Sequence, residues 1–277
     1  MQPILIEEIA DLRQHPEPSK MVEAVSSVTI GDLHGNALKL LYFLIREGVL
    51  SLADLNHYTE FVETYYKSLD EITIKDIETM RSIVKKSSVN NKIKVCLIGD
   101  EFADRGSNDY FTILLLQRLH TGRVNLEINI SNHGLDFIYA YESGDFLNSG
   151  SFEIMPFQSG SIYALRNLIA RFPDLKIYDE VIAFVDNIYK GTLRLISYDA
   201  DVQNKRIFIR THAPCDLLLI QDAAHYCNTD YNDNSLPNLM SSIDSIQLEI
   251  TSFIKESRLA NVLGTHPLRL FLWNRST

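Results

Sequence analysis

Five short, largely apolar runs recur along the chain, and each ends at a polar residue. Their length of four to seven residues and their richness in valine, isoleucine and leucine predict buried β-strands. The runs are Ala24–Ile30, Val95–Ile98, Val124–Ile130, Arg206–Arg210 and Ala260–Leu263. Because ligand sites of open α/β sheets form at the carboxyl ends of the strands, we expect the polar residues after these runs to share one site.

Between the runs, apolar residues recur at the three- and four-residue spacing of amphipathic helices. The predicted helices are Asn36–Val49, Asp109–Leu119, Ile162–Phe172, Tyr178–Tyr189 and Ser242–Glu256. The polar loop 200–205 joins one further strand pattern, Leu193–Asp199, to the run Arg206–Arg210 and predicts an antiparallel hairpin. The alternation of strands and helices predicts an α/β fold.

The length of 277 residues fits one large domain, so we expect residues 1–277 to form a single catalytic unit. Residues 1–20 predict a leader with a short helix at Ile4–Leu12, which the prolines after it would end. Residues 51–91 predict an insertion of two helices. This insertion either packs on the surface of the body or forms a lid or substrate platform beside the site.

The residues that follow the five runs form short motifs rich in Asp, Asn and His. In chain order they are GDLHGN at 31–36, GDEFADRG at 99–106, SNHG at 131–134, THAP at 211–214 and GTHP at 264–267. The candidate metal ligands are Asp32, His34, Asp100, Asn132, His212 and His266. Mixed oxygen and imidazole ligands suit Mn, Fe or Zn better than Ca or Mg. A shared carboxylate with ligands from several strand ends is typical of a two-metal site.

The order of these motifs, from about residue 26 to residue 267, resembles the phosphoprotein phosphatase (serine/threonine phosphatase-like) family of the calcineurin-like metallophosphoesterase superfamily. The resemblance implies a central β-sandwich of two mixed sheets flanked by helices. It also implies two divalent ions, Mn in first place with Fe or Zn as alternatives. By this resemblance Asp32 and His34 bind the first ion, Asp100 bridges both, and Asn132, His212 and His266 bind the second.

The same resemblance implies roles for residues around the metals. His133 would protonate or stabilise the leaving oxygen, and Asp104 would hold the His133 ring in the required tautomer. Arg105 would bind the phosphate with its planar guanidinium. Asn36 and Arg258 are further candidates for binding the substrate.

The motifs depart from the family pattern at four places. GDEFADRG has one more residue between its two aspartates than the family's GDxxDRG. Gly134 stands where the family has Glu, and Pro214 stands where it has a second Gly. Arg258 is the candidate for a second phosphate-binding arginine between the late His motifs. These departures concern substrate binding and leave the candidate metal ligands unchanged.

Composition narrows the classes of partner and compartment. The net charge of −10 argues against a general nucleic-acid binder and against an anionic membrane surface as partner. Three cysteines without a CxxC pair predict a reducing, cytoplasmic setting. No run approaches the roughly 18 apolar residues of a membrane span. Divergent phosphatase-like chains also occur among bacterial effectors, so delivery into a host cell is the alternative location.

The motifs predict a metal-dependent phosphomonoesterase that acts on phosphorylated proteins. The resemblance implies attack by a hydroxide that bridges the two metals, on phosphotyrosine or on phosphoserine and phosphothreonine. A cysteine phosphatase is excluded, because no Cys is followed six residues later by Arg. The alternatives are a dinucleoside polyphosphate or nucleotide hydrolase of the same superfamily and a phosphatase-like binding module without turnover. The pattern does not predict an oligomeric state.

Overall fold

The computed structural model describes residues 10–19, 26–144 and 160–274. The strands are β1 Ser27–Ile30, β2 Leu50–Ser51, β3 Ser88–Val89, β4 Lys94–Leu97, β5 Leu126–Asn129, β6 Leu193–Arg194, β7 Ser197–Asp201 and β8 Arg206–Arg210. The α-helices are α1 Ala37–Arg46, α2 Asn56–Tyr65, α3 Ile74–Lys86, α4 Asp109–Thr121, α5 Asn132–Glu142, α6 Gly160–Arg171, α7 Ile177–Phe184, α8 Lys190–Thr192, α9 Leu217–Tyr226, α10 Leu236–Lys255, α11 Leu259–Leu263 and α12 Leu270–Trp273. In these ranges no helix combines the length and the apolar character that crossing a bilayer requires.

The main sheet has four strands, all parallel, in the order β1-β4-β5-β6. Its central strand β4 is almost completely buried, with Val95, Cys96 and Leu97 at most 1% exposed. Such burial is expected of a parallel strand with helices on both faces. The predicted α/β class is confirmed. Because the strands are parallel, the loops that follow β1, β4 and β5 leave from the same edge of the sheet.

The predicted pair of mixed sheets is not confirmed. In the described ranges, the other sheets are two antiparallel pairs, β2–β3 and β7–β8. The predicted hairpin is present as β7–β8, but its strands pair only with each other and so add nothing to the main sheet. It is joined to that sheet by side chains. Asp199 on β7 accepts hydrogen bonds from Ser27 Oγ and Lys94 Nζ, both at 3.2 Å.

The prediction of a strand at Ala260–Leu263 is wrong, because these residues belong to helix α11. A four-residue apolar run does not distinguish a buried strand from a buried helix. In α11 the buried residues are Leu259, Val262 and Leu263, at helical spacing, while Asn261 is exposed. The fifth motif therefore does not follow a strand.

The predicted helices are present as α1, α4, α6, α7 and α10. Helix α10 begins six residues before the predicted Ser242, because Ser235 caps its first turn. Helix α9 was not predicted. Of the predicted leader, residues 1–9 and 20 lie outside the described residues, and so does most of the Ile4–Leu12 helix.

The two predicted helices of the insertion are α2 and α3. They pack on the body, since Phe61 on α2 and Ile77 and Met80 on α3 are fully buried. The insertion also contacts the residue that follows the second motif, because the Ser107 amide donates a hydrogen bond to Tyr65 Oη at 3.3 Å. It therefore supports the candidate site from the side.

An aromatic cluster lies beneath the loop that follows β4. Phe102 stacks on Phe137 with ring centroids 4.3 Å apart and meets Phe184 and Tyr189 edge to face. All four side chains are at most 1% exposed. Tyr189 ends a π-helical turn, Val185–Tyr189, between α7 and α8. This cluster fixes the β4 loop against α5 and α7.

The first two motifs touch through their glycines. Gly35 has a φ of +66°, and a Cβ at Gly106 would overlap the backbone carbonyl of Gly35. The close approach brings the GDLHGN and GDEFADRG loops together and requires glycine at position 106.

We predict that Gly106→Ala lowers the free energy of unfolding by about 2 kcal/mol or more, because the two loops must separate to admit the methyl group. Urea denaturation followed by circular dichroism measures this change. Gly191→Ala is the matched control, since a Cβ there meets nothing within 4 Å and alanine favours the helix. Equal stability of the two variants would contradict the close contact.

A second stability prediction concerns Asp109, the first residue of α4. Its Oδ2 accepts a hydrogen bond from the Ala103 amide at 3.0 Å, while its Oδ1 has no partner. Burial raises the pKa of the Asp109 carboxyl from 3.8 to about 7. Between those pH values the folded state binds a proton that the unfolded state lacks, so the free energy of unfolding falls as the pH rises.

We therefore expect Asp109→Asn to remove part of this fall. In chelator-treated protein, the loss of stability between about pH 4 and pH 7 should shrink by roughly 2–4 kcal/mol relative to wild type. Denaturation curves at a series of pH values measure it. Glu78→Gln, at an exposed position of α3, controls for the loss of a carboxyl group. An unchanged pH dependence in Asp109→Asn would contradict the prediction.

Candidate active site

The loops after β1, β4, β5 and β8 converge on one cavity of about 740 Å³. The predicted residues that line it are Asp32, His34, Asp100, Asp104, Arg105, Asn132, His133 and His212. They come from four different loops that are up to 180 positions apart in the chain. The parallel sheet thus brings together the residues of the first three motifs, and the β7–β8 hairpin adds His212 from the fourth.

The backbone of this site is locally strained. Asp32, His34 and Asp100 have φ values of 52°, 53° and 54°, in the left-handed region that non-glycine residues rarely adopt. Such conformations persist where the surrounding structure fixes them, and they cluster at functional sites. Gly99 precedes Asp100 with a φ of +99°, and a Cβ there would clash with Ser131. The chain therefore turns sharply as β4 ends and places the Asp100 carboxylate in the cavity.

The first half of the site is built around the His34 ring. Its Nδ1 lies 2.6 Å from Asp104 Oδ2, and its Nε2 lies 3.0 Å from Asp32 Oδ2. With the ring proton on Nδ1 and donated to Asp104, the Nε2 lone pair faces the Asp32 carboxylate. The Arg105 guanidinium lies across this half, with Nη2 2.9 Å from both ring nitrogens. Two acceptors, His34 Nε2 and the Asp32 carboxylate, thus face each other beside the positively charged Arg105 guanidinium.

The second half is built around the His212 ring in the same way. Its Nδ1 lies 2.8 Å from the Ile98 carbonyl oxygen, which can only accept, so Nδ1 carries the proton. Its Nε2 therefore presents a lone pair, 2.9 Å from Asn132 Oδ1. In this tautomer a second pair of acceptors faces each other across the cavity.

Asp100 lies between the two halves and is 4% exposed. Its Oδ2 is 3.8 Å from His34 Nδ1, and its Oδ1 is 3.7 Å from His212 Nε2. Oδ1 is buried and has no hydrogen-bond partner. A buried carboxylate oxygen without a partner is costly, and acceptors converging without a donor fit a cation. Asp32, His34 and Asp100 place ligand atoms within 4.8 Å of one another, as a metal ion requires.

His133 lies beside this centre at the start of α5. Its Nε2 is 3.7 Å from Asp104 Oδ2, which is longer than a hydrogen bond, while the closer partner of Asp104 is His34. The Nδ1 of His133 is buried without a hydrogen-bond partner and lies 3.9 Å from Asp136 Oδ2. The His133 ring thus stands between two carboxylates.

Three predicted residues lie outside the cavity lining. His266 is exposed in the turn after α11. Asn36 caps α1, where its Oδ1 accepts a hydrogen bond from the Lys39 amide at 2.9 Å. Arg258 pairs with Glu256 at 2.8 Å, and its side chain is 56% exposed. None of these three side chains lines the cavity that contains Asp100.

An apolar wall completes the cavity, and sequence reasoning missed it. It consists of Ala213, Pro214, Leu272 and Trp273, the last two on α12. Asn274 ties α12 to this wall, because its Nδ2 donates to the Pro214 carbonyl oxygen at 2.8 Å. The chain has a single tryptophan, close after the last motif, and that was the available signal.

Sequence reasoning also missed Glu101, a buried residue that supports the candidate site from below. It is 1% exposed, it accepts a hydrogen bond from Tyr189 Oη, and burial raises its pKa to about 7. Gly134 packs tightly beside this pair, since a Cβ there would lie 3.1 Å from both Glu101 Oε1 and Tyr189 Oη. The lengthened second motif and the glycine after His133 are therefore parts of the same packing arrangement.

Comparisons with known proteins support the interpretation of this chain as a phosphatase domain. The family profile described as WipA-like, phosphatase domain, matches residues 94–277. Among solved structures, the chain is similar to the phosphatase domain of the Legionella effector WipB, with a TM-score of 0.77 and 25% identity over 91% of this chain and 93% of that one. No curated protein matches. Asp32 and His34 precede the part matched by the family profile. This chain belongs to the family of WipA-like phosphatase domains.

Proposed function

We propose that this phosphatase domain hydrolyses phosphomonoesters of phosphorylated proteins with two divalent cations held on either side of Asp100. The observation that carries the proposal is the pairing of acceptors with acceptors at Asp100. His34 Nε2 faces Asp32 beside the Arg105 guanidinium, whose Nη2 lies 2.9 Å from the same ring nitrogen, and His212 Nε2 faces Asn132 without a hydrogen donor between them in the tautomers described above. Positive charge between them is the arrangement that this geometry supports best.

Asp32, His34 and Asp100 would hold one cation, and Asp100, Asn132 and His212 the other. The mixed donors favour Mn, with Fe or Zn as alternatives. Bound there, the cations would lower the pKa of a water molecule and offset the negative charge of the phosphoryl group. Without His266, the second position has three protein donors, which leaves room for water or substrate.

Arg105 would bind the phosphate. Its side chain is 63% exposed at the mouth of the cavity, whereas the Asp104 side chain beside it is 3% exposed. The Arg105 amide donates to Asp104 Oδ1 at 2.7 Å, which fixes the backbone while the guanidinium reaches the opening. Its planar set of donors matches two phosphate oxygens.

His133 would give a proton to the leaving oxygen. It stands at the first turn of α5, which Ser131 caps by accepting from the Gly134 amide at 2.9 Å. The carboxylates of Asp104 and Asp136 lie on either side of the ring, 3.7 Å and 3.9 Å from its nitrogens. A general acid of this kind contributes on the order of 10²–10⁴-fold to the rate.

The apolar wall favours an aromatic leaving group. Trp273 and Leu272 line the same cavity as the carboxylates, so a phenyl ring attached to the phosphate could pack against them. We therefore place phosphotyrosine first and phosphoserine or phosphothreonine second. The likeness to a Legionella effector supports delivery into a host cell, where host phosphoproteins would be the substrates.

We predict that purified protein hydrolyses para-nitrophenyl phosphate with Mn²⁺ and that chelation abolishes the activity. Asp100→Asn should lower the rate at least about 100-fold with every substrate, because both cation positions share this carboxylate.

His133→Ala should lower the rate on the order of 100-fold with phosphoserine peptides but much less with para-nitrophenyl phosphate, whose leaving group needs no proton. Steady-state rates on both substrates measure the difference.

His120→Ala, at an exposed position of α4, is the control and should retain wild-type rates. The substrate panel consists of phosphotyrosine peptides, phosphoserine peptides and nucleotides. A clear preference for nucleotides would contradict a phosphoprotein substrate and identify a nucleotide hydrolase. Bound Mn²⁺ with no turnover of any phosphoester would identify a binding module instead.

A further inference from the structure

A second cavity of about 460 Å³ adjoins the candidate active site. Ile98 and Pro214 line both cavities, so the two share a wall. Ile209 on β8 and Leu217 and Ile220 on α9 supply the rest of its apolar lining. We propose that this cavity binds one large apolar side chain of the substrate protein, next to the phosphorylated residue. The proposal rests on the function proposed above.

The chemistry of the lining selects an apolar occupant. The charged and hydroxyl side chains around the cavity each have a partner within the protein, although Arg210 Nη1 is buried without one. Arg210 pairs with Asp199, Thr211 Oγ1 donates to the Ala213 carbonyl oxygen at 2.6 Å, and Asp216 accepts from the Leu219 amide at 2.8 Å as the cap of α9. Carbon surfaces therefore supply most of the contacts that this cavity offers, and Arg210 Nη1 can donate a hydrogen bond to a backbone carbonyl of the same peptide.

The lining also exposes apolar surface that a ligand would cover. Ile220 is fully buried at the base, whereas Leu217 at the first position of α9 is 45% exposed. Burial of a leucine or phenylalanine side chain against such surface corresponds to about a ten- to a hundred-fold gain in affinity.

The shared wall decides which molecule supplies that side chain. Successive residues of an extended peptide are about 3.3–3.6 Å apart, so a residue one or two positions from the phosphorylated one lies within reach of a cavity on the other side of Ile98 and Pro214. The occupant is thus part of the same peptide whose phosphate lies beside Asp100, and the cavity sets sequence preference around the phosphorylation site.

The test compares phosphopeptides that differ only in having leucine or serine at one or two positions from the phosphorylated residue, made in phosphotyrosine and phosphoserine forms. We expect wild type to favour a leucine peptide about tenfold in kcat/KM. In Leu217→Glu, which keeps a residue suited to a helix N-terminus, this leucine-to-serine ratio should fall close to one. Leu218→Glu carries the same charge on the neighbouring residue, which is 69% exposed and does not line the cavity, and should keep the ratio.

Equal rates for leucine and serine peptides in wild type would overturn the proposal, and so would an unchanged ratio in Leu217→Glu. Turnover of para-nitrophenyl phosphate by wild type distinguishes such a failure from a failure of the proposed function. If wild type is active but shows no leucine preference, only the docking proposal is overturned. If it is inactive with Mn²⁺ on every phosphoester, the proposed function is overturned as well.

Discussion

The charge of one buried carboxylate is the constraint on which this structure depends. Asp100 lies between two imidazole rings, each already oriented by another acceptor, Asp104 for His34 and the Ile98 carbonyl for His212. One of its oxygens has no hydrogen donor. Burying such a group is unfavourable unless positive charge compensates it. The proposed function therefore depends on positive charge beside Asp100.

The surrounding packing serves to keep that carboxylate in place. The Asp100 amide donates to Ser131 Oγ at 2.8 Å, and the same oxygen caps α5, so the β4 turn and the His133 helix share one anchor. Below them, Phe102 belongs to the buried aromatic cluster, and Asp109 holds the Ala103 amide. A strained left-handed turn at Asp100 persists because these contacts fix the loop on both sides.

The parts of the site that the sequence predicts are those that depend on local pattern and on parallel strands. A buried apolar run that ends at Gly-Asp determines where β4 stops, and parallel pairing then brings Asp32, Asp100 and Asn132 to one edge. His266 shows the limit, because the apolar run before it folds as α11 and the residue lies exposed in the following turn. Trp273 and Glu101 could not be predicted, since tertiary packing places α12 and Tyr189 against the site.

Anomalous diffraction from crystals grown with Mn²⁺ tests the central claim most directly. The account predicts two anomalous peaks on either side of Asp100, one beside Asp32 and His34 and the other beside Asn132 and His212. A single peak away from Asp100, or ordered Asp100 without any peak at saturating Mn²⁺, would contradict it.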